Sequence, residues 1–240
     1  MSDLWVARLG VVPYDEARRM QGALVDARQQ GRVPDTVLVL EHPPIYTKGR
    51  RSSEAELPMG EDWYRMQGIE VSATDRGGRV TYHGPGQLVA YPIVDLRELA
   101  DADDVRSFVG RMEEAMIAGL AASGVEARLF EGLTGVWVGD EPPPAGHARK
   151  IGSIGIHISR GISTHGLAIN VNNDLQPFEW IVPCGIEAVR MTSLSRELGA
   201  EQDLDAFATT LVERLALAYD REPIERSWTE VAGSLALEAV

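Results

Sequence analysis

The chain carries a single cysteine among 240 residues, Cys184, in the run Ile181-Val182-Pro183-Cys184-Gly185-Ile186. One cysteine cannot close an intramolecular disulfide, so it is either a small inert hydrophobe or a reactive thiol. A free thiol titrates near ~8.5, and a nucleophilic one needs a cation or a base beside it. Of the 23 basic residues only Lys48 and Lys150 are lysines. Arginine stays protonated in proteins and cannot act as a base, so these two are the only side-chain amines able to titrate.

Strand alternation over 149–159 predicts Lys150, Gly152, Ile154, Ile156 and Ile158 on one face. Ile151, Ser153, Gly155 and His157 fall on the other. A lysine among three isoleucines is expected to be buried, and burial lowers a lysine pKa. Such a group could stabilise a thiolate while charged and act as a base when neutral. The competing reading places Lys150 at a strand end, snorkelling into solvent. On the neighbouring strand, Ser163, His165, Leu167, Ile169 and Val171 alternate onto one face, so His165 is expected where the aliphatics point. It is either a hydrogen-bonded structural residue or the base of a Cys–His pair.

The five histidines and lone cysteine compose no metal-ligand spacing, so neither a metal nor a cofactor is expected. A denser signal lies in Arg76-Gly77-Gly78-Arg79-Val80-Thr81-Tyr82-His83-Gly84-Pro85-Gly86-Gln87-Leu88, with four glycines in thirteen positions. Glycines at both ends of a short strand let backbone approach a bound group and aim N–H donors at it. The spacing matches neither a Walker loop nor a dinucleotide fingerprint. The same residues could also form two tight turns and nothing more.

These residues need a frame. Leu4 to Leu9 reads as a strand. Pro13 opens a helix with Ala17, Met20, Leu24 and Ala27 as its apolar stripe, ending near Gly31. Thr36 to Glu41 is a buried strand, and Ile45 to Arg51 a loop carrying Lys48, Arg50 and Arg51. Ile69 to Thr74, Arg79 to Tyr82 and Gln87 to Val94 are strands separated by glycine turns. A helix from about Asp103 places Val105, Phe108, Val109, Met112, Met116 and Leu120 on one face and stops at Gly124. Val125 to Phe130 and Thr134 to Val138 are strands, and the proline-rich stretch 139–148 is a surface loop. Arg149 to Ser159 and Ser163 to Asn172 form a hairpin, and a last helix runs from Asp203 to Tyr219. Residues 221–240 read as a loosely attached tail behind a single domain spanning 1–220. Strands in the middle flanked by helices make the class α+β.

Composition excludes several functions. A net charge of −13 disfavours a general nucleic-acid or membrane-surface binder. No apolar run approaches the ~20 residues of a membrane span, and no signal peptide is evident at the N-terminus. With one cysteine, a reducing cytoplasmic location is expected.

Four motifs together resemble one family. Arg76 to Leu88, Arg149-Lys150-Ile151-Gly152-Ser153-Ile154-Gly155, His165-Gly166-Leu167-Ala168-Ile169-Asn170 and Pro183-Cys184-Gly185 are similar, in order, to the lipoyl(octanoyl) transferases. Glu41-His42-Pro43 and Tyr46-Thr47-Lys48-Gly49-Arg50 resemble that family's early loop. The likeness spans roughly residues 5–215. It implies the fold of the biotin and lipoate protein ligase catalytic domain: a mixed central β-sheet, a smaller antiparallel sheet and flanking helices. It also implies a Cys184 nucleophile with Lys150 as partner, and possible support from His165. The acyl pocket would be formed by Arg76, Gly77, Gly78, Arg79, Val80, Thr81, Tyr82 and His83, with Ser153, Ile154, Gly155, Gly166, Leu167 and Ala168.

The implied reaction moves octanoate from octanoyl-acyl carrier protein to a lysine of an apo lipoyl domain, as in 2-oxoacid dehydrogenases and the glycine cleavage H protein. A monomer is expected. Acidic carrier partners facing an acidic enzyme would dock on a local basic patch: Lys48, Arg50, Arg51, Arg76, Arg79 and Arg149. The alternatives are a relay amidotransferase moving octanoate between lipoyl-bearing proteins, an ATP-dependent lipoate ligase, and a non-catalytic acyl-binding protein.

Overall fold

The computed structural model describes residues 2–99, 104–144, 146–182 and 189–235. In chain order the elements begin β1 (Ser2–Val11), α1 (Tyr14–Gln29), β2 (Asp35–Glu41), β3 (Ile45–Lys48), α2 (Glu61–Met66), β4 (Glu70–Ala73), β5 (Val80–His83) and β6 (Gln87–Ile93). Then come α3 (Val105–Ala122), β7 (Arg128–Phe130), β8 (Leu133–Val138), β9 (Arg149–Ser159), β10 (Ile162–Asn170) and α4 (Gln176–Glu179). The chain closes with β11 (Arg190–Met191), α5 (Leu194–Leu198), α6 (Leu204–Ala218), β12 (Arg221–Glu225) and α7 (Trp228–Leu235).

The main sheet runs β12-β1-β2-β6-β10-β9-β8-β7, with β11 added beside β9. β1 pairs parallel with both neighbours, and β2, β6, β10, β9 and β8 are successively antiparallel, so the sheet is mixed. The helix stripes cover its two faces. Phe108, Met112, Met116 and Leu120 of α3 and Phe207, Leu211 and Leu215 of α6 pack with Leu4, Val39, Leu167 and Ile169 on one side. Ala17, Met20, Leu24 and Ala27 of α1 pack with Leu38, Leu40, Val89 and Tyr91 on the other. The carboxylates of Asp104 and Asp203 cap α3 and α6 by accepting the amides of Ser107 and Ala206.

Three expectations change. The loop from Ile45 begins as a strand, because Ile45–Lys48 pairs on both edges to form the middle of a second sheet, β4-β3-β5. That sheet is not purely antiparallel: β3 is antiparallel to β5 but parallel to β4. Tyr46, Tyr64, Tyr82 and Phe178 pack as its core. The third change is the tail, which is built into the fold as far as residue 235. β12 continues the main sheet along β1, and buried Arg221 donates to buried Asp35 at 2.9 Å. Val231 of α7 is fully buried against the α1 side.

Candidate functional site

A cavity of about 540 Å³ lies over β9 and β10, where the glycine turn before β5 approaches the main sheet. Backbone closeness creates it. The Gly77 amide donates to the Ile156 carbonyl at 2.8 Å, joining the turn to β9. A Cβ on Gly155 would stand 3.2 Å from the Gly77 carbonyl oxygen and 3.0 Å from Arg76 Cδ. Gly155 pairs across the strands with Gly166, where a Cβ would meet the Ala90 carbonyl oxygen. Two glycines on facing strands leave the space that side chains would fill.

Lys150 reaches this cavity by a route that alternation does not give. The pairing of β8 with β9 shifts register: Trp137 faces Lys150, while Val136 faces Gly152. Ile151 is the extra residue of a bulge and packs in the α3–α6 core. Gly152 faces that core too, since its Cβ would strike Met116 Cε and Val136 Cγ2. Ile154, Ile156 and Ile158 pack against it as well. Lys150 is therefore on the face opposite these isoleucines, the face of Ser153 and Gly155, correcting the expected grouping. A bulge re-aims a side chain in this way.

Lys150 is buried nonetheless. Its Nζ donates to the Thr134 carbonyl at 2.9 Å and lies 5.1 Å from the Trp137 ring centroid. Gly135, with φ +100°, permits the approach, because a Cβ there would stand 2.8 Å from Lys150 Cε. Glu113 of α3 accepts the Gly135 amide at 2.8 Å and fixes this corner. Burial pushes the Glu113 carboxyl up, against the opposing pull of that amide and of the Lys150 charge.

His165 is also displaced from its expected face. Its backbone is left-handed, φ +57°, which breaks alternation with Leu167 and Ile169. The imidazole lines the cavity, and its Nε2 lies 2.8 Å from Asp75 Oδ1. Burial lowers the His165 pKa, more than Asp75 raises it. The neutral ring then donates Nε2–H to the carboxylate, leaving Nδ1 a buried acceptor without a partner among the described residues. Beside it stands a set of buried rings that sequence reasoning left out of the site: Tyr14, His42 and Tyr91. His42 Nδ1 lies 2.6 Å from the Val12 carbonyl and its Nε2 2.7 Å from Tyr91 Oη. Burial depresses His42 to about 4, and burial together with His42 takes His83 well below its usual value. Tyr14, His83 and Tyr91 line that end of the cavity, with the neutral His42 ring packed behind them. Tyr14 opens α1, His42 follows β2 and Tyr91 lies in β6, and only the fold brings them together.

Of the residues expected in the acyl pocket, Arg76, Gly77, Gly78, Arg79, Val80, Thr81 and His83 line the cavity, as do Ser153, Ile154, Gly155, Gly166, Leu167 and Ala168. Tyr82 does not. It points into the second sheet's aromatic core, against Tyr46 and Phe178, as alternation from Thr81 requires. Cys184 lies outside the described residues. The described chain resumes at residue 189, just before β11, whose Arg190 and Met191 pair with Arg149 and Lys150.

The expected basic patch is thinner than its sequence count. Lys48 is paired with Glu61, Arg79 with Glu56 and Arg149 with Glu197. Arg76 is buried and donates to the Thr47 side chain and backbone. Arg50 and Arg51 are exposed, without an ion pair among the described residues, and Arg51 borders the cavity. Among the described residues no cluster of His, Asp, Glu or Cys is placed to hold a metal ion, and no helix is long and apolar enough to cross a membrane.

Comparison with known proteins gives consistent answers. Residues 13–216 match the family model of the lipoyl protein ligase A/B catalytic domain. An octanoyltransferase of Koribacter versatilis is 40% identical over 96% of this chain and 88% of its own. An octanoyltransferase of a Mycobacterium species, strain KMS, is 46% identical over 90% of this chain and 85% of its own. Among solved structures, the bipartite lipoate protein ligase of Thermoplasma acidophilum superposes with a TM-score of 0.73 at 19% identity, covering 98% of this chain and 90% of that one. A lipoate-protein ligase A bound with ATP gives 0.67 at 20% identity, covering 98% and 92%. At these identities the structures establish the shared fold.

Proposed function

The chain belongs to the lipoyl protein ligase A/B catalytic-domain family, and from that premise we propose that it passes an octanoyl group through Cys184, with Lys150 as proton carrier. Its octanoyltransferase relatives, 40–46% identical over most of the chain, make octanoyl transfer in lipoate biosynthesis its activity. It is an acyltransferase acting between an acyl carrier and a lipoyl domain.

The observation that carries the residue assignment is the seating of Lys150. The buried Lys150 amine, which donates to the Thr134 carbonyl and sits over the Trp137 ring, borders a cavity rimmed by glycines. Cys184 stands six residues before Arg190, which pairs with the neighbour of Lys150, so a short stretch of chain connects the two. An ammonium next to a thiol stabilises the thiolate, by about 1.4 kcal/mol for each unit of lowered pKa.

The thiolate attacks the thioester carbonyl of the octanoyl carrier. The new C–S bond forms as the pantetheine C–S bond breaks, and the Lys150 ammonium gives its proton to the leaving sulfur, which departs as the thiol and leaves Lys150 neutral. One thioester replaces another, so the step is nearly thermoneutral and uses no ATP. The ε-amine of the lipoyl-domain lysine then attacks octanoyl-Cys184. A C–N bond forms, the Cys184 sulfur leaves, and Lys150 in its neutral form accepts the amine proton. Amide formation from a thioester is downhill and drives the cycle.

The turn Arg76–Thr81 and the glycines of β9 and β10 enclose the acyl chain in this reading, with Tyr14, His83 and Tyr91 closing its far end. Arg50 and Arg51 receive the acidic carrier. Lipoyl domains of 2-oxoacid dehydrogenases and the glycine cleavage H protein are the acceptors. The test is transfer to an apo lipoyl domain with octanoyl-carrier thioester as the only donor and no ATP. Modification of the acceptor lysine supports the reading, and a strict requirement for ATP or for an octanoylated lipoyl protein as donor overturns it.

A further inference from the structure

We propose that Asp75 and His165 form a latch that holds the glycine turn Arg76–Gly78 at a fixed height over β9, and so determines which acyl chains the cavity accepts. The inference rests on the acyl-transfer reading above and adds two positioning residues to it.

Three observations converge on the pair. Asp75 immediately precedes the turn that walls the cavity, and its Oδ1 lies 2.8 Å from His165 Nε2. Its other oxygen lies 3.9 Å from His157 Nε2 on β9. One carboxylate thus bonds the turn to β10 and stands close to β9. Second, His165 adopts φ +57° inside β10, a strained conformation for a residue with a Cβ. Strain of this kind persists where surrounding contacts over-determine it, and it accompanies functional constraint. Here it turns the ring away from the core and toward Asp75, while the His165 amide is held by Gln21 Oε1 at 2.6 Å. Third, the turn and the strand are already at the limit of approach, since a Cβ on Gly155 would stand 3.2 Å from the Gly77 carbonyl oxygen. Tenths of an ångström in the turn's height therefore change the width of the cavity. Burial disfavours the Asp75 carboxylate, but the His165 hydrogen bond, the backbone amide and the neighbouring imidazoles together outweigh it and hold the group below its usual value. Asp75 is ionised wherever the enzyme works.

The latch acts on the wall of the cavity and touches no reacting atom. Releasing it loosens binding of the acyl chain and relaxes discrimination by length, leaving the acyl-transfer chemistry much less affected. The experiment measures kcat and KM with octanoyl- and decanoyl-carrier thioesters for wild type, Asp75→Ala, Asp75→Asn, His165→Gly and His165→Asn. Glycine removes the ring and also the backbone strain, whereas asparagine tolerates the left-handed backbone and can still donate to Asp75.

Asp75→Ala and His165→Gly should each raise KM for the octanoyl donor about tenfold, the loss expected for a hydrogen bond to a charged group. The preference for octanoyl over decanoyl should narrow by a similar factor, with kcat reduced less than KM rises. His165→Asn and Asp75→Asn should recover part of both. Wild-type KM and chain-length preference in Asp75→Ala overturn the latch. Equal loss on both donors, accompanied by a lower melting temperature, also overturns it by reducing the pair to a structural role. Should His165→Gly fail to fold, the half-exposed Asp75 variants still decide the question. A wild-type protein that does not transfer octanoate would instead sink the acyl-transfer reading, a result separate from any of these.

Discussion

Lys150 and Trp137 face each other across β9 and β8, with the ammonium nitrogen 5.1 Å from the indole centroid. The contact exists because Ile151 bulges out of the ladder and returns Lys150 to the cavity face. Gly135 leaves the room, having φ +100° and no Cβ to meet Lys150 Cε. Gly135→Ala should therefore displace the lysine. We expect kcat to fall about a hundredfold, the scale on which misplacement of a catalytic group by about an ångström acts. Steady-state kinetics beside a thermal melt check this, and an unchanged kcat would remove Gly135 from the account.

Lys150 is assigned two tasks that arginine separates. Arginine can pair with a thiolate but cannot become neutral and take a proton. Lys150→Arg should thus permit some loading of Cys184 while blocking delivery to the lipoyl domain. Intact mass would show an octanoyl adduct that persists after the acceptor is added. Normal turnover by Lys150→Arg would exclude the base role.

Arg50 and Arg51 are the exposed remainder of a basic patch whose other members are paired or buried. Arg50→Glu/Arg51→Glu should raise KM for the acidic carrier more than it lowers kcat, with the difference shrinking at high salt as charges are screened. Kinetics at two ionic strengths measure it. Equal KM values for wild type and variant would place docking elsewhere.

The buried imidazoles predict how stability follows pH. His42 is held neutral in the folded protein, at about 4, and its ordinary value is near 6.5. Between these pH values the unfolded chain binds a proton that the folded one does not, so stability falls as pH drops through that window. His42 alone accounts for about 3 kcal/mol, at roughly 1.4 kcal/mol per unit, and His83 adds in the same direction. Denaturant melts at pH 7 and pH 4.5 should show the loss, and His42→Gln should flatten it. A flat wild-type profile would contradict the neutral-ring end of the cavity.

The segment after residue 220 is expected to stabilise the fold. Arg221→Ala would leave Asp35, 2% exposed, without one of its two guanidinium partners. Breaking a buried pair costs about 3 kcal/mol or more, so the melting temperature should drop by roughly 6–12 °C. A shift under about 2 °C would restore the picture of a loosely attached tail.

Much of this was legible before any coordinates. The helix stripes of α1, α3 and α6, the β9–β10 hairpin and the glycine turn follow from periodicity and turn chemistry. What alternation could not supply is any place where the backbone leaves the ideal strand. The Ile151 bulge and the left-handed His165 each reverse a face, and each reversal is what brings a polar side chain to the cavity. Both depend on partners distant in sequence, Val136 and Trp137 for one and Asp75 and Gln21 for the other. The tail is not legible in the sequence because a short strand with Pro223 and three charged residues has no apolar pattern of its own. Its register comes from β1.

The central claim is that octanoate passes through Cys184 under the control of Lys150. Intact mass after incubation with octanoyl-carrier thioester, without acceptor, tests it on wild type, Cys184→Ser and Lys150→Ala. The account predicts one octanoyl group on the wild type, none on Cys184→Ser, and strongly slowed loading of Lys150→Ala. An octanoyl adduct that persists on Cys184→Ser would contradict it.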